Sequence, residues 1–396
     1  MRGPLDDIRI LAVSQFGAGP FGMMQLADLG ADVIKIEDPV SRGDIGRWVQ
    51  PGAQDGDSLY YQSFNRNTRS ITLNLREPEG RELFRALAAE SDAVFNNLRG
   101  DQPEALGLTY DALKECNPAL VCVSLSGFGR TGSRAAEPGY DYLIQACSGF
   151  MSLTGHPDGP PERAGVSIVD YAGGLAAALG LVTGIHQARR TGVGCDLDIA
   201  LLDTAVAMLN YLAAWTLNSD FRPVRMPSSS HPTLYPSQVF PTKDGHLVVM
   251  CAKEKFWVNL VTAMDLPHLA EDPRFRTFAD RFQHRDAMER VLTERFRQES
   301  TDVWLERLRG SVPVARVNSV EEALCDEQVI DRGMIVDVPH PLFGMLRETA
   351  SAVRFPDASG SHQPGSALGA DTDDVLRSIL GLDDARIDSL RASGAI

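Results

Sequence analysis

Residues 13–38 read VSQFGAGPFGMMQLADLGADVIKIED, and the parsing of this stretch decides the fold. Before it, Ile8–Val13 (IRILAV) is a short apolar run of the kind that forms a buried strand. Gly17, Gly19 and Gly22 then spell G-x-G-x-x-G, Phe21–Leu29 reads as a helix, and Asp32–Glu37 (DVIKIE) reads as the next strand. Glu37 stands where an acidic residue would bind a ribose 2′-hydroxyl. That is the pattern of an NAD site, with Gly17, Gly19, Gly22 and Glu37 serving an oxidoreductase. It is equally the pattern of a tight turn and a closely packed helix, because Pro20 can open a helix at its first turn. No second glycine-rich half with its own acidic partner is visible.

Working outward, further strands are expected at Ser70–Leu75, Asp92–Asn97, Leu120–Ser126 and Ala164–Val169. Helices are expected at Pro78–Ala89, Tyr110–Glu115 and Tyr140–Ser148, with a long one over Tyr171–Arg190. Apolar strands separated by helices imply an α/β fold with a mostly parallel sheet covered on both faces. Beyond residue 220 a Pro- and Ser-rich stretch is followed by a hairpin signal at Asp244-Gly245. A charged helical region then fills 254–310, read as a solvated face of a smaller α+β domain. Two short helices flank Gly381.

The chain has 396 residues, enough for two domains, and a net charge of −15. That charge argues against nucleic acid or an anionic membrane as the main partner. Apolar runs such as Leu175–Ile185 are too short and Gly-rich to span a bilayer. The opening residues carry no signal-peptide pattern. Six scattered cysteines without C-x-x-C and dispersed histidines imply reduced thiols, a cytoplasmic setting and no metal site.

Among candidate site residues, Asp170 in AGVSIVDYAGGL comes first. A carboxylate delivered by a strand to the start of a long helix is either a helix N-cap or a nucleophile kept ionised by the helix dipole. Tyr140-Asp141 opens another helix, as a cap with a packed ring or as a phenol bonded to a reacting carboxylate. Arg47, Arg76, Arg99 and Arg130 follow strands, each an ordinary surface residue alone and a phosphate grip together. His156 and His231 lie in loops and are weak candidates for acid–base work.

Several motifs then combine: AGPFGMMQLADLGADVIKIE, NRNTRSITLNLREPEG, GFGRTG, GYDYLIQACSGFMSLTG, GPPERAGVSIVDYAGGL, HPTLYPSQVFPTKDGHLVV, VPVARVNSVEEALCDEQV and LGADTDDVLRSILGLDDARIDSL. In this order, over essentially the whole chain, they resemble the family III CoA-transferases, which include formyl-CoA transferase. The resemblance implies a Rossmann-like large domain built from both chain ends (1–200 and 330–396), a small domain at 225–325, and linkers at 201–224 and 326–329. It implies two subunits interlocked like chain links. Coenzyme A enters as substrate rather than as a tightly bound cofactor, together with small carboxylic acids.

The family's catalytic aspartate falls on Asp170, implying aspartyl anhydride and aspartyl-CoA thioester intermediates. Leu73, Arg76, Asn97 and Leu98 match positions around the nucleotide and pantetheine of CoA. Phe16 and Gly17 match positions beside the thioester, with Gly17 where formyl-CoA transferase has Gln and Gln15 nearby as a substitute. Asp38 and Ala105 replace arginines on the nucleotide, with Arg42 and Arg99 to compensate. Met226–Pro232 (MPSSSHP) stands in place of a glycine-rich lid. Arg47 or a lid residue is a candidate partner for a second substrate carboxylate. The related racemases carry a His where this chain has Tyr140, and a phenol of pKa about 10 is a poor neutral-pH base. That favours transfer over racemisation or isomerisation.

Overall fold

The computed structural model describes residues 3–355 and 362–396. Six strands form one sheet: β1 (Arg9–Val13), β2 (Asp32–Glu37), β3 (Arg69–Thr72), β4 (Ala93–Asn96), β5 (Val121–Ser126) and β6 (Cys195–Ala200). Their order is β3-β2-β1-β4-β5-β6, and every pairing is parallel. The order reverses between β1 and β4. In sheets of this kind ligands bind outside the carboxyl ends of the strands at that reversal. β4 and β5 are buried along their whole length, as expected for strands covered on both faces.

The expected strand at Ala164–Val169 does not form. The chain bends at Gly165 and Val166, and a helix runs over Ile168–Thr191. Asp170 is therefore in the first turn of that helix and not at the end of a strand. The sixth strand is Cys195–Ala200 (CDLDIA), whose Asp196 and Asp198 disguise it. Asp196 pairs with Arg130 at 2.9 Å, and Asp198 accepts from the Arg130 backbone N–H, so an edge strand keeps its charges satisfied.

The Ile168–Thr191 helix is long and apolar enough to cross a bilayer. One face of it is buried through Val169, Ala177 and Leu181, while Leu175 and Leu179 are exposed. It packs on the helix Ala18–Asp28 with backbones nearly touching. A Cβ at Gly22 would lie 2.3 Å from the Gly174 carbonyl oxygen, and one at Gly174 would lie 2.5 Å from that of Ala18. Of the glycines in the apparent fingerprint, Gly22 therefore serves helix–helix contact, while a Cβ at Gly19 would lie 2.7 Å from the Asn97 side chain.

The chain divides into two compact units. One comprises residues 1–149, 164–210 and 328–396, the other 150–163 and 211–327. The stretch 201–224, expected as a linker, carries helices at Leu201–Met208 and Asn210–Asn218. In the first unit the C-terminal helices Thr372–Leu380 and Asp384–Ala392 flank Gly381, whose φ is 67°. They insert Val375, Leu376, Ile387 and Leu390 into the core beneath β1–β4. The Ala395 carbonyl accepts from Asn74 N at 2.8 Å, which fixes the segment after β3.

In the second unit the hairpin forms as β7 (Ser237–Pro241) and β8 (His246–Met250), extended by β9 (Val314–Arg316). The helical region is not simply a solvated face. Leu292, Phe296, Trp304 and Leu308 are the core that packs under the hairpin residue Phe240. Most charged residues lie on the other side of these amphipathic helices, with Arg281 the buried exception, bonded to the Tyr235 and Phe275 carbonyls and to Glu254.

Candidate active site

The loop after β1 is shaped by two buried charges. Phe16 has φ 67°, a left-handed conformation unusual for a bulky residue. Its N–H donates to Asp44 Oδ1 at 2.9 Å. Asp44 Oδ2 accepts from Lys35 Nζ at 2.7 Å, and the same ammonium donates to the Ser14 carbonyl at 2.8 Å. Lys35 and Asp44 are buried, so a strand lysine reaches back to hold the loop. Asn97, after β4, closes the reversal point. Its Oδ1 accepts from Gln15 N at 2.9 Å and its Nδ2 donates to the Gln15 carbonyl at 2.8 Å.

Asp170 lies beside this loop. A Cβ at Gly17 would sit 2.9 Å from Asp170 Oδ2 and 3.5 Å from Tyr60 Oη, so only glycine leaves the carboxylate in place undisturbed. Asp170 is not the cap of its helix. Asp141 is: its Oδ2 accepts from Val169 N at 2.9 Å and Asp170 N at 3.2 Å. Gln145 Nε2 donates to Asp141 Oδ1 at 2.6 Å, and Gln145 Oε1 accepts from Ala164 N at 2.9 Å. Among the described residues no hydrogen bond reaches the Asp170 carboxylate. Burial, reinforced by the Asp141 charge, pushes its pKa up to about 7. The Val169 and Asp170 N–H groups at the start of the helix are thus taken by Asp141 and not by the Asp170 carboxylate.

Aromatic rings wall the carboxylate. Phe16 lies 5.2 Å from Tyr60 and 6.3 Å from Tyr140, centroid to centroid. Phe21 lies 4.7 Å from Tyr171, and Tyr60 lies 4.9 Å from Phe64. Burial, with the Asp170 charge second, raises the Tyr60 and Tyr171 phenol pKa values, so both stay protonated at neutral pH.

Two cavities adjoin at the carboxyl ends of the strands, sharing Gln15, Leu98 and Gln102. One, of about 410 Å³, is lined by Asp170, Phe16, Gly17, Asn97, Arg99 and Tyr140 among others. The other, of about 510 Å³, is lined by Leu73, Arg76, Asp38 and Ala105 among others. Asp170 and the residues matched to the CoA and thioester positions therefore line one cavity or the other.

The cations divide differently from expectation. Arg76 and Arg99 line the cavities, Arg99 while bonded to Asp101 at 2.6 and 2.8 Å. Arg130 is held by Asp196. Arg42 lays its guanidinium over the Trp48 ring at 4.2 Å and lines neither cavity. Arg47 is fully buried against Glu37 at 2.6 Å, so it is not available to a substrate carboxylate. Glu37 in turn accepts from Arg47, Ser70 Oγ and Asp44 N, which leaves it no place for a ribose. His231 is a turn residue whose Nδ1 accepts from Thr233 N at 3.1 Å and Leu234 N at 3.0 Å. In Met226–Pro232, Ser228 and Ser229 take φ values of 53° and 52°, so serines adopt the backbone that glycine would favour.

Sequence reading missed Tyr60, Phe64, Lys35, Asp44 and Gln102. Two signals pointed to three of them: the i, i+4 spacing of Tyr60 and Phe64, and Lys35 two residues before Glu37 on one face of an apolar strand.

The chain is 34% identical over 395 residues to succinyl-CoA:glutarate CoA-transferase of Homo sapiens, covering 99% of this chain and 90% of that one. It is 35% identical over 347 residues to succinyl-CoA:mesaconate CoA-transferase of Haloarcula hispanica, covering 86% of each. The crystal structure of a CAIB/BAIF family protein from Brucella suis superposes with a TM-score of 0.81 at 34% identity, over 96% of this chain and 100% of that one. The model for CoA-transferase family III matches residues 5–372, and the chain is a CoA-transferase belonging to family III.

Proposed function

We propose that this enzyme moves CoA from a donor acyl-CoA to an acceptor carboxylic acid with Asp170 as the covalent nucleophile. The observation that carries the reading is a buried carboxylate, unbonded among the described residues, in one of two adjoining cavities at the sheet's reversal point. The nucleotide end of CoA fits the cavity of Leu73 and Arg76. The pantetheine passes Gln15, Leu98 and Gln102, and the thioester arrives at Asp170.

Ionised Asp170 attacks the thioester carbonyl carbon. A C–O bond forms, the C–S bond breaks, and the acyl group remains as an aspartyl anhydride while CoA thiolate leaves. The thiolate attacks the aspartyl carbonyl, giving aspartyl-CoA thioester and releasing the donor acid. The acceptor carboxylate attacks that thioester, and the same steps in reverse yield the new acyl-CoA and free Asp170. The N–H groups of Gly17 and Ala18, at the start of the helix Ala18–Asp28, are the proposed donors to the developing oxyanion. The rings of Phe16 and Tyr60 beside Asp170 are proposed to keep water from the anhydride. Tyr140 offers no imidazole, which favours transfer over two-base racemisation.

Succinyl-CoA is the proposed donor and a small dicarboxylic acid the proposed acceptor, supported by the names of the two relatives. The reading includes an interlocked homodimer, in which exposed apolar residues such as Leu179, Leu217 and Val320 are covered. It also includes a cytoplasmic location, suited to six unpaired thiols.

Intact-protein mass after mixing with succinyl-CoA and other acyl-CoAs tests the chemistry. Wild type is expected to gain a hydroxylamine-labile CoA adduct, and Asp170→Ala none, with transfer at least ~10⁴-fold slower. If wild type binds CoA yet no acyl-CoA labels it, the nucleophile assignment fails.

A further inference from the structure

Resting on that reading, we infer that Asp141 is a positioning residue that biases Asp170 toward its covalent states. Two geometric facts carry this. The Asp141 carboxylate holds the Val169 and Asp170 N–H groups at 2.9 and 3.2 Å, so it fixes the backbone of the nucleophile. Gln145 anchors it at 2.6 Å and is itself anchored by Ala164 N, so the charge cannot swing away.

The consequence is electrostatic. In the free enzyme two carboxylates share one low-dielectric site and repel. In the anhydride and in the aspartyl-CoA thioester, residue 170 is uncharged and the repulsion is gone. Asp141 therefore raises the basicity of the nucleophile and disfavours the free form relative to either adduct. The other groups facing Asp170 do not offset this. Tyr60 from the Leu59–Asn65 helix, and Tyr171 on Asp170's own helix, remain neutral phenols. Gly17 brings no side chain, and Arg99, which lines the same cavity, is bonded to Asp101.

The test compares wild type, Asp141→Asn and Gln145→Leu by intact mass and by the pH dependence of adduct formation with succinyl-CoA. The Asp141→Asn change keeps an acceptor for both N–H groups but removes the charge. Its pH midpoint is expected to fall by at least ~0.5 unit below the wild-type value, and its equilibrium fraction of CoA adduct to fall about threefold or more. Gln145→Leu loosens the anchor and keeps the charge, so it is expected to slow labelling with the midpoint unmoved. A wild type that labels, alongside an Asp141→Asn variant with unchanged midpoint and adduct fraction, overturns the inference and reduces Asp141 to a helix cap. Failure of wild type to label overturns instead the nucleophile reading on which this rests.

Discussion

Glu37 and Asp170 are both buried carboxylates in the same unit, and the fold treats them in opposite ways. Glu37 accepts from Arg47 Nε and Nη2, Ser70 Oγ and Asp44 N, all within 2.6–2.9 Å. Burial pushes its pKa up, but the Arg47 hydrogen bonds and the Lys35 and Arg47 charges outweigh burial and hold it below the ordinary value. Asp170 has burial and a like charge but nothing to set against them, and rises to about 7. A satisfied buried charge is scaffold. An unsatisfied one stores free energy that a reaction can release by neutralising it.

Three measurements bear on this contrast. The largest expected effect is at the scaffold. Glu37→Ala leaves the fully buried Arg47 guanidinium uncompensated, and chemical denaturation at pH 7 is expected to show a loss of about 3–5 kcal/mol. Because the folded-state pKa of Glu37 is lowered, its contribution is present above the unfolded value and disappears as pH falls through the folded one. The penalty of the variant therefore shrinks in acid. A penalty that persists unchanged at low pH would mean packing, not charge, is what Glu37 supplies.

Next in size, and opposite in sign, is the stability of Asp170→Asn. The folded pKa of Asp170 is raised from 3.8 to about 7. Between those values the native state binds the extra proton, so wild-type stability falls as pH rises across that window. The variant lacks this cost. It is expected to match wild type near pH 4 and to exceed it by about 2–3 kcal/mol above pH 7. A variant no more stable than wild type at pH 8 would show that Asp170 finds partners and that the contrast with Glu37 is false.

The smallest effect is on rate. The nucleophile must be ionised, so the acid limb of kcat/KM is expected near pH 7, with a tenfold loss for each unit below it. A limb near pH 4 would place Asp170 among ordinary carboxylates.

Much of the large unit was legible from the sequence because its strands are continuous apolar runs, and such runs have few alternatives once helices alternate with them. The places where reading failed share a cause. Ala164–Val169 is too short an apolar segment to distinguish strand from helix. Cys195–Ala200 carries two aspartates that only a neighbouring arginine makes acceptable. The apparent NAD fingerprint failed for the same reason: its glycines answer to Gly174 and Asp170, both far away in the chain, and its acidic residue answers to Arg47.

The sequence by itself thus determined the family and the positions of five of the six strands that build the crevice. Those features follow from local patterning and from motifs in a fixed order. Only the tertiary structure decided that Asp141 and not Asp170 caps the long helix, that Arg47 is scaffold, and that Lys35 and Asp44 hold the Phe16 turn. Which hydrogen bonds a buried polar group makes depends on partners brought close by folding, and chain spacing carries no record of them.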